Sequence, residues 1–210
     1  MMPPPSSLFA SLADGLAAMQ LALPDGAQEK LLAYLDLLAK WNRAYNLTAV
    51  RDPAEMVSRH LLDSLAVLPY LHGKTLADLG SGAGLPGIPL AIARPDIHVA
   101  LVESNGKKAR FLREAVRSLP LANANVMQTR VQEASGTFDS IIARAFASLS
   151  DMLNAGGHLL ADGGQWLALK GHPDSTEIAA ISPAFRVAAV HPLRIPGSTA
   201  ERCVIELARV

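Results

Sequence analysis

The residues of this chain best suited to chemistry form a glycine-rich turn. A short apolar run ends at Asp78, three glycines follow at alternate positions (Gly80, Gly82 and Gly84), and a helical pattern begins at about Leu85. Because glycine has no Cβ, such a turn leaves its backbone bare for a polar ligand. The free N–H groups and positive dipole end of the following helix point into the same space. Three alternate glycines cost more backbone entropy than a simple turn requires, so the stretch predicts a small-molecule cofactor site.

Two cofactors fit this turn. Gly82 to Gly87 matches the G-x-G-x-x-G dinucleotide fingerprint, and Glu103 lies about twenty residues further on, where an acidic ribose ligand belongs. Asp78 with the three alternate glycines instead matches the turn of S-adenosylmethionine (SAM) methyltransferases. Both cofactors contain an adenosine, so Glu103 can bind ribose hydroxyls in either. The turn alone leaves both cofactors open.

Strand and helix patterns alternate from residue 75 onward. This repetition predicts a parallel sheet with helices on both faces. The predicted strands cover residues 75–80, 98–103, 124–129, 138–143 and 165–170, and the predicted helices cover 85–93, 106–118, 148–155 and 174–181.

The C-terminal end breaks the alternation. Residues 185–195 and 202–210 are β-rich runs with only the turn 196–199 between them, which predicts an antiparallel hairpin. A nicotinamide dehydrogenase usually has a second nucleotide-binding half or a substrate domain, and little chain remains here to build one. We therefore predict an α/β fold of the class I SAM-dependent methyltransferase type over residues 74–210, Rossmann-like and mostly parallel with an antiparallel C-terminal strand.

Residues 1–73 are predicted to form a tail and a helical extension. Residues 1–7 are rich in Pro and Ser and are expected to be a loose tail, while 53–71 is helical with Asp52 as its N-cap. Another helix is predicted over 28–41, where leucines recur at helical spacing at positions 31, 32, 35 and 38.

Composition limits the partners. The 210 residues include 19 basic and 19 acidic side chains, which argues against a surface that grips nucleic acid everywhere but leaves a local basic face open. A hydrophobic share of 50% with 18% charged residues is typical of a globular protein. The single cysteine, Cys203, excludes an intrachain disulfide and is compatible with the cytoplasm. We expect no metal, since the six histidines lack ligand spacing, and no membrane association.

The order of motifs resembles the bacterial 16S ribosomal RNA guanine-N7 methyltransferase family, RsmG, also called glucose-inhibited division protein B. The similarity covers most of residues 28–210. Its motifs are Trp41-Asn42, Asn46-Leu47-Thr48, His60 to Leu65, Asp78 to Pro89, Glu103-Ser104, Lys107-Lys108, Phe111-Leu112, Arg130, Glu133, Phe138-Asp139, Arg144-Ala145, Lys170-Gly171 and Arg202.

The resemblance implies a SAM-dependent enzyme that methylates guanine N7 in 16S ribosomal RNA, within the small subunit or a precursor. It assigns Gly80 and Leu85 to the methionine side of SAM, Glu103 to the ribose, Gln132 and Glu133 to the adenine, and Arg144 to a place beside cofactor and substrate. These residues follow strands, where an open α/β sheet binds ligands. The glycine-rich turn and the resemblance together give the predicted cofactor set Asp78, Gly80, Gly82, Gly84, Leu85, Glu103, Gln132, Glu133 and Arg144.

N7 methylation makes modest chemical demands. The N7 lone pair is already free to attack the sulfonium methyl group, so we expect no general base and catalysis chiefly by positioning. Arg144 is the candidate catalytic residue: it can donate to guanine O6 or to phosphate, or hold the cofactor carboxylate. The Asn/Asp-Pro-Pro-aromatic motif of amine methylation is absent, because residues 144–148 read Arg-Ala-Phe-Ala-Ser. Cys203 lies inside a predicted strand, which does not suit a nucleophile.

RNA contacts are predicted for Lys107 and Lys108, at the end of a basic helix nearest the strand termini, and for Arg130 and Lys170. An ordinary solvated helix surface explains the basic helix equally well, and a structural ion pair explains Lys170. Tyr45 and Phe146 can stack on a base or pack in the core.

Other functions stay open at this point. They are methylation of another RNA or a small molecule, a SAM-binding regulatory module without catalysis, and a nicotinamide-dependent oxidoreductase. His60, Asp63 and Ser64 suggest a hydrolase relay but are expected to join the N-terminal helices to the sheet. We expect a cytoplasmic monomer.

Overall fold

A seven-stranded sheet organises the computed structural model, which describes residues 5–144, 148–172 and 174–210. Its strands are β1 (Thr75–Leu79), β2 (His98–Val102), β3 (Ala124–Met127), β4 (Phe138–Arg144), β5 (Leu160–Lys170), β6 (Phe185–Leu193) and β7 (Arg202–Arg209). They lie in the order β3-β2-β1-β4-β5-β7-β6. The first five strands pair in parallel, and β7 is antiparallel to both β5 and β6. The predicted fold class and the terminal hairpin are confirmed.

Helices cover the sheet and form the N-terminal region. The α-helices are α1 (Pro5–Ala18), α2 (Ala27–Tyr45), α3 (Pro53–Met56), α4 (Asp63–Leu65), α5 (Gly87–Ala93), α6 (Gly106–Ser118), α7 (Leu149–Gly156) and α8 (Ser175–Ala179). A π-helical turn, Val57–Leu62, joins α3 to α4, and 3-10 turns occupy Leu68–Tyr70, Val131–Glu133 and Gly157–Leu159. Asp52 caps α3 as predicted, because its side chain accepts a hydrogen bond from the N–H of Ala54 at 3.0 Å.

Several predicted boundaries need correction. Residues 5–7 begin α1 rather than continuing a loose tail, and residues 1–4 lie outside the described part of the chain. Proline is well tolerated in a first helical turn, and Leu8, Leu12 and Leu16 then bury one face of α1. The helix predicted over 53–71 is interrupted by the π-helical turn and ends in a 3-10 turn. β5 begins five residues early, at 160, since it carries a register shift around Gly163 and Gly164, and β3 ends early, at 127.

Each face of the sheet has its own core. Alternate strand residues point to opposite faces, so Leu76 and Leu101 pack with the N-terminal helices, α5 and α6, while Ala77 and Trp166 pack with α7. On α2 the buried stripe is Leu31, Tyr34, Leu35 and Leu38. Leu32, which was grouped with these leucines by its helical spacing, is only partly buried.

Candidate cofactor and substrate site

The glycine-rich turn has the bare backbone that the sequence predicts. Gly80, Gly82 and Gly84 have φ values of 71°, 59° and 85°, a region in which other residues are strained. A Cβ on Gly84 would lie 2.4 Å from the Ile88 Cδ1 atom, so that position is fixed by packing. A Cβ on Gly82 would meet nothing closer than the Gly80 carbonyl oxygen at 3.7 Å. Gly82 therefore borders open space that a ligand can fill.

Asp78 lies at the end of β1, buried beneath the turn with 1% exposure. Its Oδ2 accepts a hydrogen bond from the N–H of Gly87 at 3.0 Å, and a Cβ on Gly87 would lie 2.6 Å from that oxygen. Its Oδ1 has no hydrogen-bond partner within the described residues. Burial raises the pKa of Asp78 to about 7, and the Gly87 N–H and the charge of Arg144 oppose this only in part. A cationic or N–H donor from a ligand would satisfy Oδ1.

Glu103 follows β2 and connects the turn to α6. Its Oε2 accepts a hydrogen bond from the N–H of Gly82, and its Oε1 accepts one from the N–H of Asn105, each at 2.8 Å. Each carboxylate oxygen has a second lone pair, so ribose hydroxyls can still donate to it. The predicted ribose role of Glu103 is compatible with this geometry and stays a prediction.

A cavity of about 290 Å³, the cofactor cavity, lies beyond the carboxyl ends of β1, β2 and β3. Of the two residues predicted at the adenine, both exposed, Gln132 lines this cavity and Glu133 does not. Arg130, predicted to contact RNA, lines this cavity as well. The remaining lining residues are Gly80, Val102, Glu103, Ser104, Thr129 and Val131.

Sequence reasoning missed Tyr34 on α2. Its hydroxyl donates a hydrogen bond to the carbonyl oxygen of Ala83 at 2.7 Å, and the side chain is fully buried. Burial raises the pKa of Tyr34 well above its usual range, so the hydroxyl keeps its proton and remains a donor. The available signal was an aromatic residue with a polar tip, three residues after Leu31 and four before Leu38. Tyr34 thus fixes the glycine-rich turn to α2 through this hydrogen bond.

Arg144 lies at the end of β4 and lines a different cavity, of about 400 Å³, which we call the second cavity. Its Nη1 is 2.9 Å from Oδ2 of Asp63, a buried carboxylate that sequence reasoning left out of the site. The other oxygen of Asp63, Oδ1, accepts a hydrogen bond from Nε of Arg202 at 3.0 Å. Asp63 therefore joins the N-terminal helices to β4 and β7, which is the linking role predicted for it.

Lys170, at the end of β5, also lines the second cavity. Its Nζ is 2.6 Å from Oε1 of Glu177 on α8, and both side chains are 17% exposed. The structural ion pair weighed for Lys170 is thus present.

His60 is buried beside the second cavity in a neutral form. Its Nδ1 lies 3.0 Å from the carbonyl oxygen of Arg59, so Nδ1 carries the hydrogen. Its Nε2 is then the acceptor for the Thr48 hydroxyl at 2.9 Å. Burial lowers the pKa of His60 to about 4. With both nitrogens engaged, His60 acts in support of the fold rather than as a general base.

Lys107 and Lys108 lie in the first turn of α6, where the Asn105 side chain accepts hydrogen bonds from both backbone N–H groups. Lys107 is exposed and Lys108 half-buried. Further along the helix, Arg113 donates to Gln128 and Arg117 pairs with Glu114. These local pairs favour a solvated surface for the later cations, whereas the two lysines stay candidates for RNA.

The two candidate stacking residues have different outcomes. Tyr45 packs against Trp41, with ring centroids 5.0 Å apart, so it belongs to the core. Phe146 lies outside the described residues. Among the residues that the structure covers, no three His, Cys, Asp or Glu side chains group as metal ligands. In the same ranges, no helix has the length and apolar character needed to cross a bilayer.

A solved structure supports the fold assignment. The glycopeptide N-methyltransferase MtfA, complexed with S-adenosylhomocysteine, superimposes with a TM-score of 0.59 over 72% of this chain and 87% of its own. The sequence identity is 10%, so the likeness concerns the fold alone.

Curated relatives are far more similar in sequence. Ribosomal RNA small subunit methyltransferase G of Xanthomonas campestris pv. campestris (strain 8004) is 54% identical over 203 residues, which cover 96% of this chain and 95% of the relative. The protein of the same name from Stenotrophomonas maltophilia (strain K279a) is 52% identical and covers 97% and 96%. The family described as rRNA small subunit methyltransferase G, GidB, matches residues 27–205. The predicted resemblance is confirmed, and the chain belongs to the GidB family.

Proposed function

We propose that this chain is a SAM-dependent methyltransferase that methylates N7 of a guanine in 16S ribosomal RNA. The observation that carries the proposal is the turn from Gly80 to Gly84. Its bare backbone adjoins a cavity bordered by Glu103, and the buried Asp78 beneath it has one unpartnered oxygen. The family and the names of its relatives give the reaction its class.

The residues present fit SAM. The cofactor cavity would hold the adenosine, with Glu103 accepting from the ribose and Gln132 near the base. Oδ1 of Asp78 offers an acceptor to the amino group of the methionine part. When bound, SAM supplies a methyl group on a positively charged sulfur, which guanine N7 accepts with a lone pair that is already free.

The chain itself then works by orientation. Tyr34 and Glu103 hold the turn through hydrogen bonds to Ala83 and Gly82. Asp63 fixes the Arg144 guanidinium at the end of β4, where it can donate to guanine O6 or to a phosphate. Because N7 carries no proton, neutral His60 and ion-paired Asp63 are not required to accept one. Correct orientation of the reacting atoms is the main source of rate in such a site.

The contacts of Tyr34 and Asp63 support a division of the chain into two parts. We propose that residues 1–73 comprise a tail and a helical extension, and that the extension supplies Tyr34 and Asp63 to a catalytic domain at 74–210. The enzyme is proposed to act as a cytoplasmic monomer on the small ribosomal subunit or a precursor of it.

Two glycine variants test the cofactor site. Gly82→Val should abolish SAM binding measured by calorimetry, because the side chain would enter the space beside the turn. Gly163→Val is the matched control, since Gly163 also has positive φ (73°, against 59° for Gly82) and open space around its Cβ position. Both variants carry similar backbone strain, so equal losses of stability are expected. Near-normal SAM affinity in folded Gly82→Val, or an equal loss in the control, would contradict the site.

A further inference from the structure

The second cavity has a use that the cofactor does not explain. It lies beyond the ends of β4 and β5 and the start of β7, beside the cofactor cavity at the same edge of the sheet. The segment from Thr48 to Asp63 forms its other wall. Four cationic side chains line the second cavity, namely Arg59, Arg144, Lys170 and Arg202. The carboxylate of Asp63 lies between Arg144 and Arg202.

The carboxylates do not balance these cations. Arg59 pairs with exposed Glu55 at 3.1 Å, and Lys170 pairs with Glu177 at 2.6 Å. Arg144 and Arg202 share the single carboxylate of Asp63. Four cations thus face three carboxylates, and one positive charge is unmatched within the described residues.

Among the residues that the structure describes, no further carboxylate pairs with these four cations. Glu201, the next carboxylate along the chain, is 80% exposed and contacts His172. The residues outside the described ranges, 1–4, 145–147 and 173, carry no charged side chain. The excess therefore belongs to the fork formed by Arg144, Asp63 and Arg202.

The fork is a built structure rather than a mobile surface pair. The Asp63 side chain is 6% exposed and uses a different oxygen for each arginine. Within the described residues, the hydrogen bonds of the two arginines use Nη1 of Arg144 and Nε and Nη1 of Arg202. Among the hydrogen bonds of the described residues, none uses Nη2 of either guanidinium. Paired guanidinium N–H groups match the oxygens of a phosphate.

We propose that the second cavity binds one phosphate of the RNA backbone, with Arg144 and Arg202 as donors and Asp63 as the residue that positions both. One phosphodiester carries one negative charge, which equals the unmatched charge of the fork. The proposal rests on the proposed function, since it takes RNA as the substrate. It names the group beside the target base that the enzyme holds.

One other anion has the same charge, the carboxylate of the cofactor. The two sources are separated by measuring RNA binding and S-adenosylhomocysteine binding on the same variants. Small ribosomal subunits that lack the methyl group serve as the RNA probe, and affinity is measured at several salt concentrations.

Arg202→Gln should weaken binding to the subunits about tenfold. The negative slope of log K against log salt should become shallower by about 0.7 to 0.9, the value for one phosphate contact. Its affinity for S-adenosylhomocysteine should stay within about twofold of wild type. Arg94→Gln is the matched control. The Arg94 side chain also pairs with one aspartate, Asp96, and is 31% exposed against 35% for Arg202. It lies at the amino ends of the parallel strands, opposite the second cavity. Its salt slope should equal that of wild type.

Two results would overturn the phosphate site. One is an unchanged salt slope in folded Arg202→Gln, and the other is a loss of S-adenosylhomocysteine affinity with RNA binding intact, which would assign the cavity to the cofactor carboxylate. If Arg202→Gln does not fold, Arg202→Lys is tested instead. This variant keeps the charge, so it should bind the subunits more weakly but with the wild-type salt slope. A salt slope of Arg202→Lys that is shallower by the value of one phosphate contact would contradict the proposal. Absence of methyl transfer by the wild type would overturn the proposed function alone, because the salt slope reports the phosphate contact independently.

Discussion

Replacing Tyr34 by phenylalanine tests whether α2 braces the cofactor turn. The change removes only the hydroxyl, which donates to the Ala83 carbonyl at 2.7 Å in a fully buried position. Water cannot replace the lost donor there, so the cost is that of a buried acceptor without its partner, about 2 kcal/mol. For a chain of this size, 1 kcal/mol lowers the melting temperature by about 2–4 °C, so we expect a decrease of about 4–8 °C.

The same variant should also bind SAM more weakly. About 1 kcal/mol of the lost stability is expected to come from the conformation of the turn rather than from global unfolding. A loss of that size lowers the SAM affinity about fivefold. Calorimetric titration and urea unfolding measure the two effects. Tyr45→Phe is the control, since Tyr45 lies on the same helix and its hydroxyl has no hydrogen bond within the described residues. A Tyr34→Phe protein with wild-type melting temperature and SAM affinity would refute the bracing role.

Four further perturbations probe the site. Burial raises the pKa of Asp78 to about 7, so its contribution to stability is complete below about pH 4 and is lost as pH rises through 7; ligand-free Asp78→Asn should therefore gain about 3 kcal/mol relative to wild type between pH 5 and 8.5 in urea unfolding, and a constant difference would contradict this. Burial lowers the pKa of His60 to about 4, so its contribution of about 3 kcal/mol to folding stability is complete above pH 6.5 and is lost as pH falls towards 4. An NMR titration should find the imidazole ring neutral at pH 6, and a titration midpoint near 6.5 would contradict this. Arg144→Ala should lower methyl transfer far more than it lowers the melting temperature, whereas wild-type turnover would remove Arg144 from the site. Joint replacement of Lys107 and Lys108 by alanine should flatten the salt dependence of subunit binding, and an unchanged slope would return α6 to the solvated surface.

The parts of this molecule that could be predicted are those with local signals. The parallel strands are short apolar runs separated by helical patterns, and the turn after β1 is marked by alternate glycines, so both were found with small errors at their ends. α1 was missed because its first residues look like a Pro-rich tail. The early start of β5 was hidden by Gly163 and Gly164, which resemble a turn but lie within the strand.

The remaining site features depend on contacts distant in sequence. Tyr34 meets Ala83 across 49 positions, and Asp63 meets Arg144 across 81 and Arg202 across 139. The sequence predicts that Asp63 joins the N-terminal helices to the sheet, but only the folded chain brings two arginines to it. Arg130 was predicted to contact RNA because its charge can be read from the sequence. That its side chain lines the cofactor cavity depends on the fold and could not be predicted.

The most direct test of the account is a methyl-transfer assay on small ribosomal subunits that lack this modification, using labelled SAM and mass spectrometry of the digested RNA. We expect 7-methylguanosine in the 16S RNA. SAM binding without transfer, or a methyl group on another base or another atom of guanine, would contradict it.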